Sequence, residues 1–167
     1  MRTTTRNCLR HRKDQALKLE TLTFGTLEFE EKSILHIQEG MLGFPQLKQY
    51  ILVEDPEIHP FKWLQSIDDL YVAFPVVDPH LLYERYACSL SLDELKMIGM
   101  ENLENLVMMA VAVIADDPAQ STINLKAPLL INHLSMIGKQ VVLADSTYNP
   151  WQPLLIADGE MTIQKDE

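Results

Sequence analysis

The sequence predicts a mostly β protein, a single-domain antiparallel β-barrel-like fold with one or two short helices. Three observations lead to this prediction. Apolar and polar residues alternate with a period of two through much of the chain, as in strands that are buried on one face. Turn-forming Gly, Pro and Asp residues separate these segments at intervals of roughly ten to fifteen residues. The 167 residues, 47% of them apolar, suit one domain and show no repeat or long linker.

About eight strands are predicted from the alternation. They are expected at residues 24–29, 34–37, 50–53, 61–66, 71–77, 106–115, 121–132 and 138–143. The second predicted strand is expected to close against the first. The sixth is continuously apolar, so we expect it to be central and buried on both faces, and the seventh is expected to bend at Pro128. Pro75 cannot donate to a ladder and is expected at an edge or a bulge. The eighth is predicted to be the last strand.

One helix is predicted from a capping box. In the stretch 91–94 the hydroxyl of Ser91 can accept a hydrogen bond from the backbone N–H of the third helical residue, Glu94. The side chain of Glu94 can in turn accept a hydrogen bond from the backbone N–H of Ser91. The acidic residues of the first turn suit the positive end of the helix dipole. Gly99 is expected to end the helix after about two turns. A weaker helical turn is predicted at 45–49, and residues 39–45 are predicted to form a structured loop.

Charge divides the chain into parts. Six of the 14 Lys and Arg residues lie in the first 18 residues beside one acid, which leaves 8 basic and 23 acidic residues over 19–167. Residues 1–20 are predicted to be a basic, disordered extension, and the alternative is a short basic arm that contacts an acidic surface. They lack the apolar segment and cleavage site of a signal peptide. Residues 21–157 are predicted to form the β domain, and residues 158–167 a polar C-terminal tail.

The net charge of residues 19–167, near −15, indicates which class of partner the protein can bind. Its field repels phosphate backbones and would accelerate the encounter with a basic protein, so no direct binding of nucleic acid is expected. The alternative is that the charge only keeps the protein soluble. No apolar run reaches the roughly eighteen residues of a membrane helix. Cys8 and Cys88 provide no disulfide framework, so we expect a cytoplasmic protein that does not bind membranes.

No motif for catalysis or metal binding is recognised. None of the five histidines stands at a metal-ligand spacing from another, and the chain lacks a nucleophile elbow, a Walker loop and a dinucleotide fingerprint. The acidic pairs at 68–69 and 116–117 are expected to form turns at strand ends. The alternative, a small hydrolase, would depend on Asp68 or Asp116. We therefore predict a non-enzymatic protein with no catalytic residues, no cofactor and no metal.

Apolar and aromatic residues in predicted loops are the remaining candidates for a binding site. They are Leu81, Leu82, Tyr83, Tyr86 and Trp151. Aromatic residues in loops are favoured anchors of protein interfaces. The alternative is that these residues cap the open end of a barrel.

Several stretches, taken together and in order, resemble the flagellar assembly factor family called FliW. They are 24–29, 39–44, 63–66, 73–79, 121–128 with 131–132, and 138–143. The resemblance covers about residues 22–155, and the first 20 residues have no counterpart in it. The fold that the resemblance implies is a compact antiparallel β structure similar to a barrel.

The resemblance implies a cytoplasmic regulator with two protein partners. One is CsrA, a small basic homodimer that represses translation by binding messenger RNA, and the other is flagellin, the filament subunit. In the family, the factor sequesters CsrA until newly made flagellin competes for it. The resemblance therefore implies that repression of target messenger RNAs such as flagellin messenger RNA is blocked and that flagellin synthesis is coupled to assembly. The alternative is a flagellin chaperone with no role in translational control.

The resemblance also implies partner contacts in two segments, 83–87 and 123–128. The expected contact residues are Tyr83, Glu84, Tyr86, Ala87, Ile123, Leu125 and Pro128. The two tyrosines and Leu125 are expected to make apolar contacts, and Glu84 is expected to meet a basic residue. The chain departs from the family pattern at Ala87, where an acidic residue is frequent, and at Leu42, where many members have proline.

Overall fold

The computed structural model describes residues 16–144, 147–157 and 160–163. Twelve strands lie in this part of the chain: β1 Leu17–Thr21, β2 Gly25–Phe29, β3 Leu35–Ile37, β4 Gln49–Glu54, β5 Lys62–Ser66, β6 Ala73–Val77, β7 Leu106–Val113, β8 Thr122–Ile123, β9 Leu129–Asn132, β10 Ile137–Gln140, β11 Gln152–Ala157 and β12 Glu160–Ile163. The two α-helices are α1 Pro79–Leu82 and α2 Leu92–Met97. None of the described helices is long and apolar enough to cross a membrane.

Seven strands form a closed barrel. Their hydrogen-bonded order is β7-β6-β5-β4-β3-β10-β9, and β9 pairs back onto β7. All of these pairs are antiparallel except β3 with β10, which is parallel. Closure leaves the barrel strands without a free edge. The predicted fold, a mostly β single domain with a barrel and two short helices, is confirmed.

The barrel interior is filled by the apolar face of each strand. Tyr50, Leu64, Val76 and Leu129 come from four different strands, and each has 0% of its surface exposed. The alternation seen in the sequence produces this arrangement, because successive side chains of a strand point to opposite faces. Full burial of one large apolar side chain contributes about 1.5–3 kcal/mol, so these residues are the main source of the barrel's stability.

β7 is the central strand, as predicted, and it continues beyond the barrel. The expected burial on both faces is wrong for its C-terminal end, where Val113 is 59% exposed, because this end extends past the barrel into a smaller sheet. Its residues 106–111 pair with β9 and β6, whereas Ala112 and Val113 pair with β8. From there the sheet extends through β8 to β11 and β12. We call the part formed by the end of β7, β8, β11 and β12 the side sheet. Pro75 lies one residue before the ladder between β6 and β7 begins at Val76, in agreement with the expected position at a ladder edge.

The segment predicted as one bent strand, 121–132, runs along β7 with an interruption. Three residue steps along β7, from Met109 to Ala112, correspond to six steps along the partner, from Leu129 to Ile123. Residues 124–128 therefore loop out between the ladders of β8 and β9. We call these five residues the bulge loop. The predicted bend at Pro128 is one end of it.

β1 and β2 form a separate antiparallel hairpin outside the barrel. The ring centroid of Phe24, in the turn of this hairpin, lies 5.7 Å from that of Trp63 on the barrel wall. The prediction that residues 34–37 close against this hairpin is wrong, because β3 pairs with β4 and β10. Leu35 and Ile37 are both 0% exposed in the barrel interior, so burial of these two side chains determines where β3 pairs.

The N-terminal boundary of the β domain differs from the predicted one. β1 begins at Leu17, before the expected start at residue 21, and Leu17 pairs with Phe29. The strand forms there because Leu17 and Leu19 alternate with charged residues and complete the hairpin with β2. Residues 1–15, where most of the predicted extension falls, lie outside the described residues.

The C-terminal part also contains more strands than predicted. β10 ends at Gln140 and is followed by β11 and β12, so the eighth predicted strand is not the last. Within the predicted polar tail, Glu160–Ile163 forms β12, which pairs antiparallel with β11. Met161 and Ile163 alternate with polar residues there, a signal too short to stand out in the sequence. Residues 158–159 and 164–167 lie outside the described residues.

The predicted capping box is present at α2. The Ser91 hydroxyl oxygen accepts a 3.2 Å hydrogen bond from the backbone N–H of Glu94, whose carboxylate accepts a 2.7 Å bond from the Ser91 N–H. Gly99, at φ +73°, follows the helix in the left-handed conformation that glycine favours. The turn predicted at 45–49 is not helical. The second helix is α1, which lies in a segment predicted to be a loop.

Candidate partner-binding site

The first predicted contact segment begins with the short helix α1. Asp78 caps this helix, since its carboxylate accepts a 2.9 Å hydrogen bond from the backbone N–H of His80. Pro79 occupies the first turn, where its missing N–H leaves no bond unmade. The N–H of Tyr83 donates to the carbonyl of Pro79 at 2.8 Å, and the N–H of Tyr86 donates to the carbonyl of Tyr83 at 2.9 Å. Two consecutive turns therefore fix the path from 78 to 86.

The second predicted contact segment, 123–128, consists of Ile123 at the end of β8 and the bulge loop, and the structure joins it to the first. The hydroxyl of Tyr86 donates a 2.8 Å hydrogen bond to the backbone carbonyl of Leu125. The N–H of Leu125 donates to the carbonyl of Asn149 at 3.3 Å. Because Leu125 has no ladder partner on β7, these two bonds satisfy backbone groups that would otherwise be buried unpaired.

An aromatic cluster surrounds this junction. The ring centroid of Tyr148 lies 4.7 Å from that of Tyr86 and 6.1 Å from that of Tyr83. The His80 ring stands edge-on to Tyr86 at 5.6 Å. The Tyr148 hydroxyl also accepts a 2.8 Å hydrogen bond from the N–H of Ala87. Tilted and edge-on aromatic pairs are energetically favourable beyond their buried area, so these contacts stabilise the position of the segment 83–87.

Burial raises the pKa of two ionisable groups at the site. Desolvation raises the pKa of Tyr86 far above its usual value, and the nearby Cys88 and Tyr148 add to the effect. The Tyr86 hydroxyl therefore stays protonated and remains a hydrogen-bond donor. Burial, with a further contribution from Glu94, also raises the pKa of the Cys88 thiol. A protonated thiol is a poor nucleophile, so Cys88 has the environment of a packing residue, with its sulfur 3.8 Å from that of Met108.

The structure divides the seven predicted contact residues by accessibility. Glu84 and Ala87 are exposed, and Tyr83 is half-buried. Four are buried in the core: Tyr86, Ile123, Leu125 and Pro128. Tyr86 and Leu125, which were expected to make apolar contacts with a partner, are 3% and 2% exposed because they pack against each other and against β7. Tyr86 and Leu125 therefore lie beneath the accessible residues and support them. Contact with a partner stays a prediction for Tyr83, Glu84 and Ala87.

Sequence reasoning missed two features of this surface. Tyr148 supports both predicted segments, and the only signal for it was an aromatic residue in the turn-forming stretch 148–151. The helical form of α1 was also missed, although Asp78-Pro79 is a common start for a helix. Helix formation turns Leu81 outward, and this leucine is 65% exposed beside Glu84 and Arg85. The accessible surface thus combines one apolar side chain with charges of both signs.

The chemistry available at this site is that of contact and hydrogen bonding. An acid and histidine pair, Asp78 and His80 at 2.8 Å, belongs to the cap of α1 and is open to solvent. Within residues 16–144, 147–157 and 160–163, no group of three or more His, Cys, Asp or Glu side chains could hold a metal ion. In each predicted acidic pair, one member forms a turn: Asp69 accepts the N–H of Tyr71 at 3.0 Å, and Asp117 accepts that of Ala119 at 3.1 Å. Asp68 instead accepts the N–H groups of Lys48 and Gln49, which are distant in sequence, at 2.6 and 2.9 Å.

Comparison with known proteins gives one consistent result. A family model described as FliW protein matches residues 18–154. The flagellar assembly factor FliW of Syntrophus aciditrophicus (strain SB) is 38% identical over 132 residues, which cover 79% of this chain and 84% of that protein. The flagellar assembly factor FliW of Leptospira interrogans serogroup Icterohaemorrhagiae serovar Lai (strain 56601) is 34% identical over 140 residues, which cover 83% of this chain and 93% of that protein.

A solved structure agrees with these relatives. The crystal structure of the flagellar assembly factor FliW superimposes on this chain with a TM-score of 0.76 at 28% sequence identity. The superposition covers 81% of this chain and 95% of that chain. The residues matched by the family model include both segments of the candidate site.

Proposed function

Because this chain belongs to the FliW family, we propose that it is a flagellar assembly factor that acts by binding other proteins and not by catalysis. The proposed partners are CsrA, a small basic RNA-binding homodimer, and flagellin. Binding to CsrA blocks its repression of target messenger RNAs such as flagellin messenger RNA. Competition by flagellin then couples flagellin synthesis to assembly. The protein acts in the cytoplasm and binds neither nucleic acid nor membranes directly.

The observation that carries this proposal is the charge of the folded part. Residues 19–167 contain 8 Lys and Arg against 23 Asp and Glu. A protein that binds messenger RNA presents basic residues to the phosphates, and an acidic domain attracts that same surface. The acidic domain also repels the RNA itself. One electrostatic property therefore favours the complex with CsrA and disfavours the complex of CsrA with RNA.

The exposed part of the candidate site offers apolar contacts, which would determine the affinity for a partner. Electrostatic attraction mainly sets the rate of encounter, whereas a few desolvated apolar anchors set affinity. Leu81, 65% exposed on α1, is an apolar side chain placed beside Tyr83 and Glu84. These three residues could fill the centre of an interface of about 800 Å² per partner. The aromatic cluster beneath them keeps the surface in one shape before binding.

A second candidate function is that of a flagellin chaperone with no role in translation. The outer face of the side sheet favours it. Val113 pairs with Thr122, which pairs with Pro153, and Trp151 lies in the turn directly before β11. Val113 is 59% exposed and Trp151 is 71% exposed. An apolar sheet face of this kind suits an apolar helical segment of an unassembled subunit.

A competition experiment separates the two functions. CsrA is first bound to the purified protein at low salt, and flagellin is then titrated into the complex while released CsrA is measured by its binding to a labelled flagellin messenger RNA leader. The proposed switch predicts that flagellin releases CsrA and that the RNA becomes bound. If both proteins bind at once without displacement, the switch is wrong and the chaperone function stands. Absence of calorimetric heat with either partner would contradict both.

A further inference from the structure

A groove separates the β1–β2 hairpin from the barrel wall at β4, on a side of the molecule that the proposed function does not use. Its volume is about 440 Å³. Leu27 and Phe29 line it from the hairpin, and Ile51 and Val53 line it from β4. A volume between roughly 300 and 1,000 Å³ with an apolar lining is typical of sites that hold a ligand or a peptide side chain. We call this site the hairpin groove.

Among the described residues, the charged groups that line the hairpin groove are all carboxylates. Glu28, Glu30 and Glu54 line it, and none of the described lining residues is basic. The surrounding chain has the same sign, since residues 16–33 and 51–62 together carry seven Asp and Glu against three Lys. An apolar floor with an acidic rim is suited to a chain segment that has an apolar residue among basic ones.

The present lysine partners of the three carboxylates can be replaced by arginine. Each forms an ion pair with a lysine outside the groove, as Glu28 does with Lys18 at 2.7 Å and Glu54 with Lys62 at 2.7 Å. The hydrogen bond and charge of Lys62 lower the pKa of Glu54, so this carboxylate is ionised at neutral pH. These pairs are exposed, and solvent screening makes exposed ion pairs weak, so little stability is lost when a lysine is replaced. Arginine can replace the lysines, because its planar guanidinium makes two hydrogen bonds to a carboxylate.

A segment of this chain has the complementary composition and precedes β1, the strand that pairs with β2 in the groove wall. Residues 1–15 contain Arg2, Arg6, Arg10, Arg12 and Lys13, with Asp14 as their one acid and Leu9 among the arginines. They lead directly into β1, whose first residue pairs with Phe29 in the groove wall. Fifteen residues can span up to about 50 Å, so the tether does not restrict access to any part of the groove.

We propose that residues 1–15 dock into the hairpin groove as an intramolecular basic arm, with arginine side chains on the carboxylate rim. The tether favours this occupant over any free one, because it gives the segment a local concentration on the order of millimolar. A second copy of the protein is a poor occupant, since it brings another strongly acidic body to an acidic rim. The arm also neutralises part of the acidic surface around the groove. This inference does not depend on CsrA or flagellin.

The native cysteine in the segment allows a direct test on the full-length protein. Cys88 is replaced by Ser, and a nitroxide spin label is attached to Cys8. Amide peak intensities are then measured by NMR on the isotope-labelled protein. We expect loss of intensity at the groove residues 27–30 and 51–54 at low salt. The loss should disappear at roughly 1 M salt, where the Debye length falls to about 3 Å.

A matched pair of charge variants shows whether the rim is responsible. The rim variant E28Q/E30Q/E54Q should restore the groove intensities. The control variant E101Q/E104Q/D116N removes the same number of exposed carboxylates outside the groove and should leave the broadening unchanged. Equal behaviour of the two variants would reduce the effect to non-specific attraction and overturn the proposal.

Two further outcomes would also overturn the proposal. No loss of intensity at the groove at low salt would mean that the segment does not dock there. Loss of the same size in a mixture of spin-labelled protein without isotope and isotope-labelled protein without spin label would identify a second copy as the occupant. In all samples, unchanged peak positions for the barrel strands distinguish these results from unfolding of a variant.

Discussion

The hydroxyl of Tyr86 and the carbonyl oxygen of Leu125 are joined by a 2.8 Å hydrogen bond across 39 residues of chain. This bond connects the end of the α1 segment to the bulge loop between β8 and β9. It exists because three extra residues in the strand beside β7 leave the Leu125 carbonyl without a ladder partner. The surface offered to a partner therefore depends on a buried bond that no partner touches.

The first prediction concerns this bond. Tyr86→Phe keeps the packing of the ring but leaves a buried carbonyl unsatisfied, which should lower the free energy of unfolding by about 1–3 kcal/mol. Urea denaturation should show a lower midpoint with an unchanged slope. Tyr71→Phe, at a side chain that is 80% exposed, is the control and should change the free energy of unfolding by less than about 0.5 kcal/mol. Equal stability of the two variants would mean that water replaces the hydroxyl at Leu125.

The second prediction concerns the exposed charge of the candidate site. Glu84→Lys should weaken binding to CsrA roughly fivefold, which corresponds to about one exposed ion pair, and most of the change should lie in the association rate. Surface plasmon resonance at several salt concentrations measures both effects. Glu104→Lys, an equal change of charge at another exposed position, is the matched control. A similar loss in both variants would show that overall charge, and not the α1 surface, is responsible.

The third prediction compares two glycines with positive φ. Gly25 has φ +64° and open space where a Cβ would stand, so Gly25→Ala should lower the free energy of unfolding by about 1–2 kcal/mol. At Gly40, with φ +73°, a Cβ would lie 2.5 Å from the carbonyl oxygen of Phe44 and 2.8 Å from the Cα of Pro45. This overlap with backbone should add about 1–3 kcal/mol to the loss in Gly40→Ala. Thermal and urea denaturation of both variants provide the comparison, and equal losses would contradict the tight packing of this loop.

The fourth prediction concerns stability at alkaline pH. Burial, with a contribution from the charge of Asp68, raises the pKa of Tyr50 to about 12 from an ordinary value of 10.0. The folded state thus holds the phenolic proton more tightly than the unfolded state. The stabilisation is complete below pH 10 and is lost as the pH rises towards 12, by up to about 3 kcal/mol. Tyr50→Phe should therefore lose less stability over this pH range than the unchanged protein in urea denaturation. An identical decline in both would contradict the prediction.

The barrel could be predicted because its strands carry complete local signals. Leu35 and Ile37 flank an exposed histidine in β3, and β7 is apolar from residue 106 to residue 112. The capping box of α2 could also be predicted, because the side chains of Ser91 and Glu94 accept hydrogen bonds from each other's backbone N–H groups, and no other part of the chain is involved. In each case the interactions that decide the local structure are close in sequence.

The rest depended on contacts that are distant in sequence. No local pattern shows that Tyr86 reaches the carbonyl of Leu125, or that Tyr148 supports them both. Sequence patterns therefore predict partner contacts for Tyr86 and Leu125, although burial between α1 and β7 is the reason for their apolar character. The partner of β3 was misjudged for the same reason, since the nearest strand in sequence is not the one that covers Leu35.

β7 serves the barrel and the side sheet with one uninterrupted backbone. Its early residues close the barrel, and its last two begin the sheet that carries the bulge loop and lies beside α1. Neither half can rearrange without displacing the strand that the other half needs. We therefore expect that a protein bound at α1 also stabilises the barrel, so that the whole domain gains resistance to proteolysis as a single cooperative unit.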